Sequence, residues 1–322
     1  LTQTMQADSV TYNIDFKDPK QGGSFKVDGG MNTLKFDGAG SYPSDMDIND
    51  MAAMLKAGFA FSGTASYLNG QMAMNVDDKG KKTDINTSSE SGNFIVAMDD
   101  QRLNYNIASK GISMDMAGGE IPFPVSIKMA ESGFNLMMPI AKQDEEQDFA
   151  FGFKMANFTM SDMIWGIVDP SAQLPRDPAT VAIDLTGKAK LFFDLMDAKQ
   201  MEAVEKGDAV PGELNALTLK SLNVSAVGAE LTGTGDFTFD TTDLETFDGM
   251  PAPTGAVDLK LVGGNGLLDK LVAMGMLPED QAMGARMMMG LFAVAGEGED
   301  TLTSKIEVND QGHVSANGQR LK

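Results

Sequence analysis

The feature that most constrains this chain is a long stretch of period-two alternation. Between residues 57 and 156 apolar side chains recur at every second position. They are Phe59, Phe61; Met72, Met74, Val76; Phe94, Val96, Met98; Leu103, Tyr105, Ile107; Ile112, Met114, Met116; Val125, Ile127, Met129; Phe134, Leu136, Met138; and Phe149, Phe151, Phe153, Met155. The residues between them are mostly Asn, Asp, Ser, Lys, Gly or Ala, which is the pattern of strands with one apolar and one polar face. Short connections between successive runs favour antiparallel pairing, because a parallel pair needs a crossover of a dozen or more residues. Residues 57–156 therefore predict one large antiparallel sheet. Such a sheet has to bury its apolar face by curling on itself or by accepting helices.

The same alternation opens the chain at Val10, Tyr12, Ile14 and Phe16, and resumes in its second half. Glycine, at 35 of 322 residues, punctuates it. The pairs Asp28-Gly29, Asp37-Gly38, Asn69-Gly70 and Asn317-Gly318 read as hairpin turns. Helices are expected over 45–57, with Ser44 and Asp47 at capping-box spacing and a stripe of Ile48, Met51, Met54 and Leu55. Others are expected at Ser161–Val168, stopped by Asp169-Pro170, at 194–206, and as a pair at 266–277 and 280–294 split by Pro278. The expected fold is mainly β (α+β): a long curved antiparallel sheet of amphipathic strands capped by a few short helices. The stretch Gln173–Pro178, with two prolines, divides it into an N-terminal meander over 1–158 and a C-terminal β half with capping helices over 159–322, halves that can also form one continuous domain.

Composition removes several function classes. The 25 Lys+Arg against 46 Asp+Glu leave a net charge of −21, which argues against an electrostatic nucleic-acid binder. No Cys and one His exclude disulfides and thiolate chemistry, and make a zinc site or a Ser-His-Asp triad improbable. No GxSxG elbow, GxGxxG fingerprint or GxxxxGK[ST] loop occurs. His313 reads as an exposed turn residue and Trp165 as core. The acidic clusters lack EF-hand spacing and read as solvated charge. No enzyme chemistry, metal or cofactor is expected.

One segment stands apart. From Asp280 to Ala295, Arg286 is the only charge after Asp280. An all-round apolar helix of that length is expected to be buried in protein or to cover something apolar. Methionine is flexible and polarizable, so it either fills an irregular core or lines a surface that adapts to apolar ligands. Leu271, Met274, Met276, Met287, Met288, Leu291 and Phe292 are the candidate ligand-contacting residues, on a helical pair expected to act as a lid over an apolar groove.

The stretches Trp165-Gly166-Ile167-Val168-Asp169-Pro170, Leu174-Pro175-Arg176-Asp177-Pro178-Ala179-Thr180 and Gly312-His313-Val314-Ser315-Ala316-Asn317-Gly318-Gln319 resemble a family of exported bacterial proteins known as a domain of unknown function. More distantly, the glycine-punctuated amphipathic strands are similar to AsmA-like periplasmic proteins. That resemblance implies long sheets with an apolar face and a role in lipid movement, and it supplies no catalytic residues. No run of 18 apolar residues is present, and the start at Leu1 suggests a signal peptide removed upstream. The expected function is non-enzymatic periplasmic binding or transfer of a lipid or another apolar ligand. The alternative is a structural or protein-interaction component of the cell envelope.

Overall fold

The computed structural model describes residues 1–18, 22–44 and 50–322. Strands account for 61% of the described residues and helices for 14%, against a usual strand content of 20–25%. In chain order the elements are β1 (Thr2–Lys17), β2 (Gly23–Ser41), α1 (Met51–Lys56), β3 (Ala60–Asp78), β4 (Lys81–Met98), β5 (Arg102–Gly118), β6 (Ile121–Pro139) and β7 (Gln147–Met160). There follow α2 (Asp162–Val168), β8 (Ala179–Leu191), α3 (Ala198–Glu205), β9 (Gly212–Ala226), β10 (Ala229–Asp240) and β11 (Ala252–Val262). The last elements are α4 (Gly264–Ala273), α5 (Glu279–Phe292), β12 (Val294–Ala295), β13 (Thr301–Val308), β14 (Val314–Ala316) and β15 (Gln319–Arg320).

All the strands belong to one open antiparallel sheet. Each pairs with its neighbours in sequence from β1 to β11, then come β13, β14 and β15, with β12 attached to β13. Pairing continues from β7 to β8, across position 158, with a register shift between Met155 and Phe158. Strands β2 and β3 each have 19 residues, or about 63 Å at the usual rise per residue, where a strand of five or six residues is ordinary.

The turns fall in places other than most of those expected. Lys79–Gly80 and Val227–Gly228 have positive φ at both positions and close the β3–β4 and β9–β10 hairpins, as two-residue turns of this hand do. Asn317–Gly318 does turn β14 into β15. Asp28-Gly29 and Asp37-Gly38 instead lie inside β2, and Asn69-Gly70 inside β3. Gly29 is paired on both sides, to Tyr12 and to Met72. A Cβ there would lie 2.3 Å from the Tyr12 ring, so its glycine answers to packing and not to a turn.

Of the helix expected over 45–57, residues 51–56 are helical, and Asp47 and Ile48 lie outside the described residues. The carboxylate of Asp50 caps α1 by accepting the Ala53 N–H at 2.9 Å. Helix α1 brings Leu55 against Met98 and Ile140, with Met51, Phe59, Phe61, Leu103, Met138 and Met196 around them. This corner is the core cluster of the described residues, and it is small for the chain. The accessible surface is 19135 Å², whereas a compact protein of this mass exposes about 12,900 Å². The excess is the signature of a sheet whose faces are mostly not covered by other parts of the chain.

Ile140, 2% exposed, sits in the cluster that α1 forms with residues of β3, β4, β5 and β6. Ile140→Ala is expected to cost about 2–5 kcal/mol in urea unfolding, while Met287→Ala on exposed α5 should shift the midpoint by no more than about 0.5 kcal/mol.

Candidate functional site: the apolar face of the sheet

The long strands change the parity of their apolar residues halfway along. Tyr67 and Met72 on β3, or Thr87 and Phe94 on β4, would lie on opposite faces of a regular strand. A transverse seam prevents this. Thr33, Asn69, Gly111 and Asn157, within β2, β3, β5 and β7, all have φ between 47° and 59°, the left-handed region that Asn and Gly enter most readily. At the seam the Tyr67 hydroxyl lies 3.0 Å from Ser89 Oγ. A Cβ on either Gly92 or Gly70 would collide with the Tyr67 ring. Residues 67 and 70 therefore share a face, as do 89 and 92, although each pair is three apart. Both halves of β3 and β4 consequently present their apolar side chains on one side, and cross-strand pairing carries this to the neighbouring strands.

Transverse rows of side chains run along this face. One passes from Phe36 through Ala65, Phe94, Ile107, Phe134, Phe153, Ile183, Leu222 and Gly233 to Leu259. A parallel row runs from Val96 through Tyr105, Leu136, Phe151, Leu185 and Leu219 to Val257 and Ile306. The first crosses ten strands, about 43 Å at the usual strand spacing. Phe94, Tyr105, Phe134 and Phe151 meet edge to face along the rows, with centroids 5.3–5.9 Å apart. Most of these side chains are only half-buried, and Phe25, Ile107, Met114, Phe153 (38% exposed) and Val224 are more open still. The opposite face is polar: Asn13, Asp28, Asn86 and Asp115 lie in one cross-strand row through Ala73. Open hollows of about 830 Å³ and 530 Å³ lie over that side, the second bounded by Thr232, Asp258, Lys260 and Lys305.

The helical pair sits elsewhere than expected. Helix α4 starts on the Asp300 carboxylate, which accepts the Asn265 and Gly266 N–H groups at 3.2 and 2.8 Å. Arg286 ties α5 to Asp269 of α4 at 2.5 Å. Of the two expectations for the segment 280–294, burial within the chain is not met, since Met283, Met287 (72% exposed), Met288 and Leu291 face solvent. Fourteen residues give one flank to α4 and leave the other bare. Of the candidate ligand residues, Leu271, Met274 and Phe292 are half-buried, whereas Met276, Met287, Met288 and Leu291 are exposed. None of the seven lies on the strands that carry the transverse rows.

The segment between β7 and β8 is a packed corner. Trp165 is buried, Arg176 lies over its ring at 5.8 Å, and the same guanidinium pairs with Asp162 at 2.6 Å. Asp169 is fully buried, and its two carboxylate oxygens accept the Gln173 and Leu174 N–H groups at 3.0 and 2.7 Å. Burial pushes its pKa up, but these N–H groups, that of Ala172 and the nearby Arg176 charge outweigh it and hold the carboxyl below its ordinary value. His313, expected to be exposed, is half-buried, and its backbone N–H donates to Asn309 Oδ1. Among the described residues no group of three or more His, Asp or Glu side chains is placed to hold a metal ion, and no helix is long and apolar enough to cross a membrane.

A family model described as an uncharacterized protein conserved in bacteria (DUF2125) matches residues 43–321, and the chain belongs to that family. No curated protein and no solved structure is similar to the chain.

Asp169 supplies a pH test of the corner. Its folded pKa is lowered, so its contribution to stability is present at neutral pH and is lost as the pH falls through the folded value. Asp169→Asn is expected to lower the thermal midpoint at pH 7. The gap to the parent should close as the pH drops below about 4.

Proposed function

We propose that this member of the family binds or transfers a lipid or another apolar ligand on the apolar face of its sheet, without catalysing a reaction, in the bacterial periplasm. The observation that carries the reading is the pair of transverse apolar rows, one crossing ten strands and the other nine, only half-buried by the chain itself. A side chain of Phe or Leu size that passes from water to a fully apolar environment gains about 1.5–3 kcal/mol. A ligand that completes the burial of several such residues therefore has a driving force that needs neither charge nor a specific hydrogen bond. The acidic chain would repel anionic head groups, so contact through apolar chains fits this surface better than contact through head groups.

A second reading, a structural or interaction component of the cell envelope, is favoured by the exposed Met283, Met287, Met288 and Leu291 of α5. It uses a different surface, so the two separate experimentally. Ile107→Asp and Phe153→Asp, on the sheet, are expected to weaken binding of a fluorescent fatty acid by about tenfold or more, equivalent to ~1.4 kcal/mol. Thr64→Asp, on the polar face beside Asp37 and Ile95, and Met287→Asp should leave binding unchanged. Organic extraction and native mass spectrometry of gently purified protein should recover lipid. Protein that carries no lipid and binds no apolar probe would favour the envelope-component reading.

A further inference from the structure

The sheet is open, and its free margins differ in how they are protected. At one end the ladder finishes on the three residues of β14 and the two of β15, too short to template a long partner. Along β6 the ladder to β7 ends at Ile127 and Ser126 is bonded to Ser161, so Ile121–Val125 is a second free margin, and it carries Pro122 and Pro124. Proline removes backbone donors, a common protection of exposed edges. The third margin is β1. Its 16 residues pair with β2 alone among the described residues, contain no proline and carry Asp8, Asp15 and Lys17 as their only charged side chains. Met5, Tyr12, Ile14 and Phe16 on it are exposed. Among the described residues one long edge is left able to pair while the other two margins are blunted.

We propose that β1 is the site of self-association, in which two copies pair β1 to β1 antiparallel about a two-fold axis normal to the sheet. The occupant follows from the sequence of the strand itself. Pairing centred on Asn13 sets Val10 opposite Phe16 and Tyr12 opposite Ile14, all on the apolar face. On the polar face it sets Thr11 opposite Asp15 and Ser9 opposite Lys17, so no like charges are opposed within residues 9–17. Opposed apolar pairs of this kind stabilise an antiparallel ladder and opposed like charges destabilise it. An isologous pair also closes, because the blunted β14–β15 margin gives a third copy nothing to extend. The apolar faces of the two copies then join into one surface across the axis.

The chain has no cysteine, which makes the test direct. Asn13→Cys places one thiol next to its symmetry mate, and mild oxidation is expected to give a disulfide-linked dimer well before the control Thr234→Cys on β10 does. In sedimentation equilibrium the unmodified chain should show twice the chain mass. Tyr12→Lys with Ile14→Lys should return it to the single-chain mass while its circular dichroism stays strand-dominated. A parent chain that is monomeric at tens of micromolar, a range typical of weak association, would overturn the proposal, and so would Asn13→Cys cross-linking no faster than the control. A monomer whose β1 is taken by a strand of a different protein counts among the overturning results.

Discussion

A sheet with one polar and one apolar face has to do something with the second, and every other feature of this molecule follows from how little of that face the chain covers. The backbone is satisfied by the ladder from β1 to β15. Hydrogen bonding can extend such a ladder but cannot cover its faces. Helix α1 closes one corner over Leu55, Met98 and Ile140, and α2 packs its Trp165 at another. Between these anchors the rows from Phe36 to Leu259 are protected mainly by each other, through edge-to-face aromatic side chains and neighbouring aliphatic ones.

The seam is the device that keeps this face whole. Strands of 17–19 residues accumulate twist, and a left-handed residue halfway along lets the chain reset its direction, with local register shifts around Thr33 and Asn157. Sums of paired residue numbers are the same on both sides of the seam in the β3–β4 and β5–β6 ladders, so no residue is inserted. The side-chain parity changes instead, and the sequence changes parity with it. A smaller irregularity serves the same end in β9, where Leu219 and Leu222 both face the apolar side because the register shifts between them.

This explains what could be read from sequence and what could not. Alternation identified the sheet, its antiparallel sense and its amphipathic strands, because period two is a direct imprint of the pleat. It divided β5 at Gly111 and β6 near Ala130, since a parity change in sequence looks like the end of one strand and the start of another. The pairs Asp28-Gly29 and Asn69-Gly70 reinforced that division, although one makes room for a tyrosine ring and the other lies on the seam. Tyr67 and Ser89 could not have been singled out, because their pairing depends on register. The apolar composition of 280–294 did not show which flank of α5 the chain covers, because a two-helix hairpin leaves Met287 and Met288 open. The transverse rows are composed of residues the alternation had already marked, so the surface was legible residue by residue while its continuity was not.

The apolar face is open to whatever solvent or ligand surrounds the molecule. Hydroxyl-radical footprinting of lipid-stripped protein reads this side chain by side chain. Ile107, Met114 and Phe153 are expected to be modified much faster than Met98, Ile140 and Trp165, which are buried in the two corners. Equal protection of both sets would contradict it, because it would mean that the face is already covered by the protein itself.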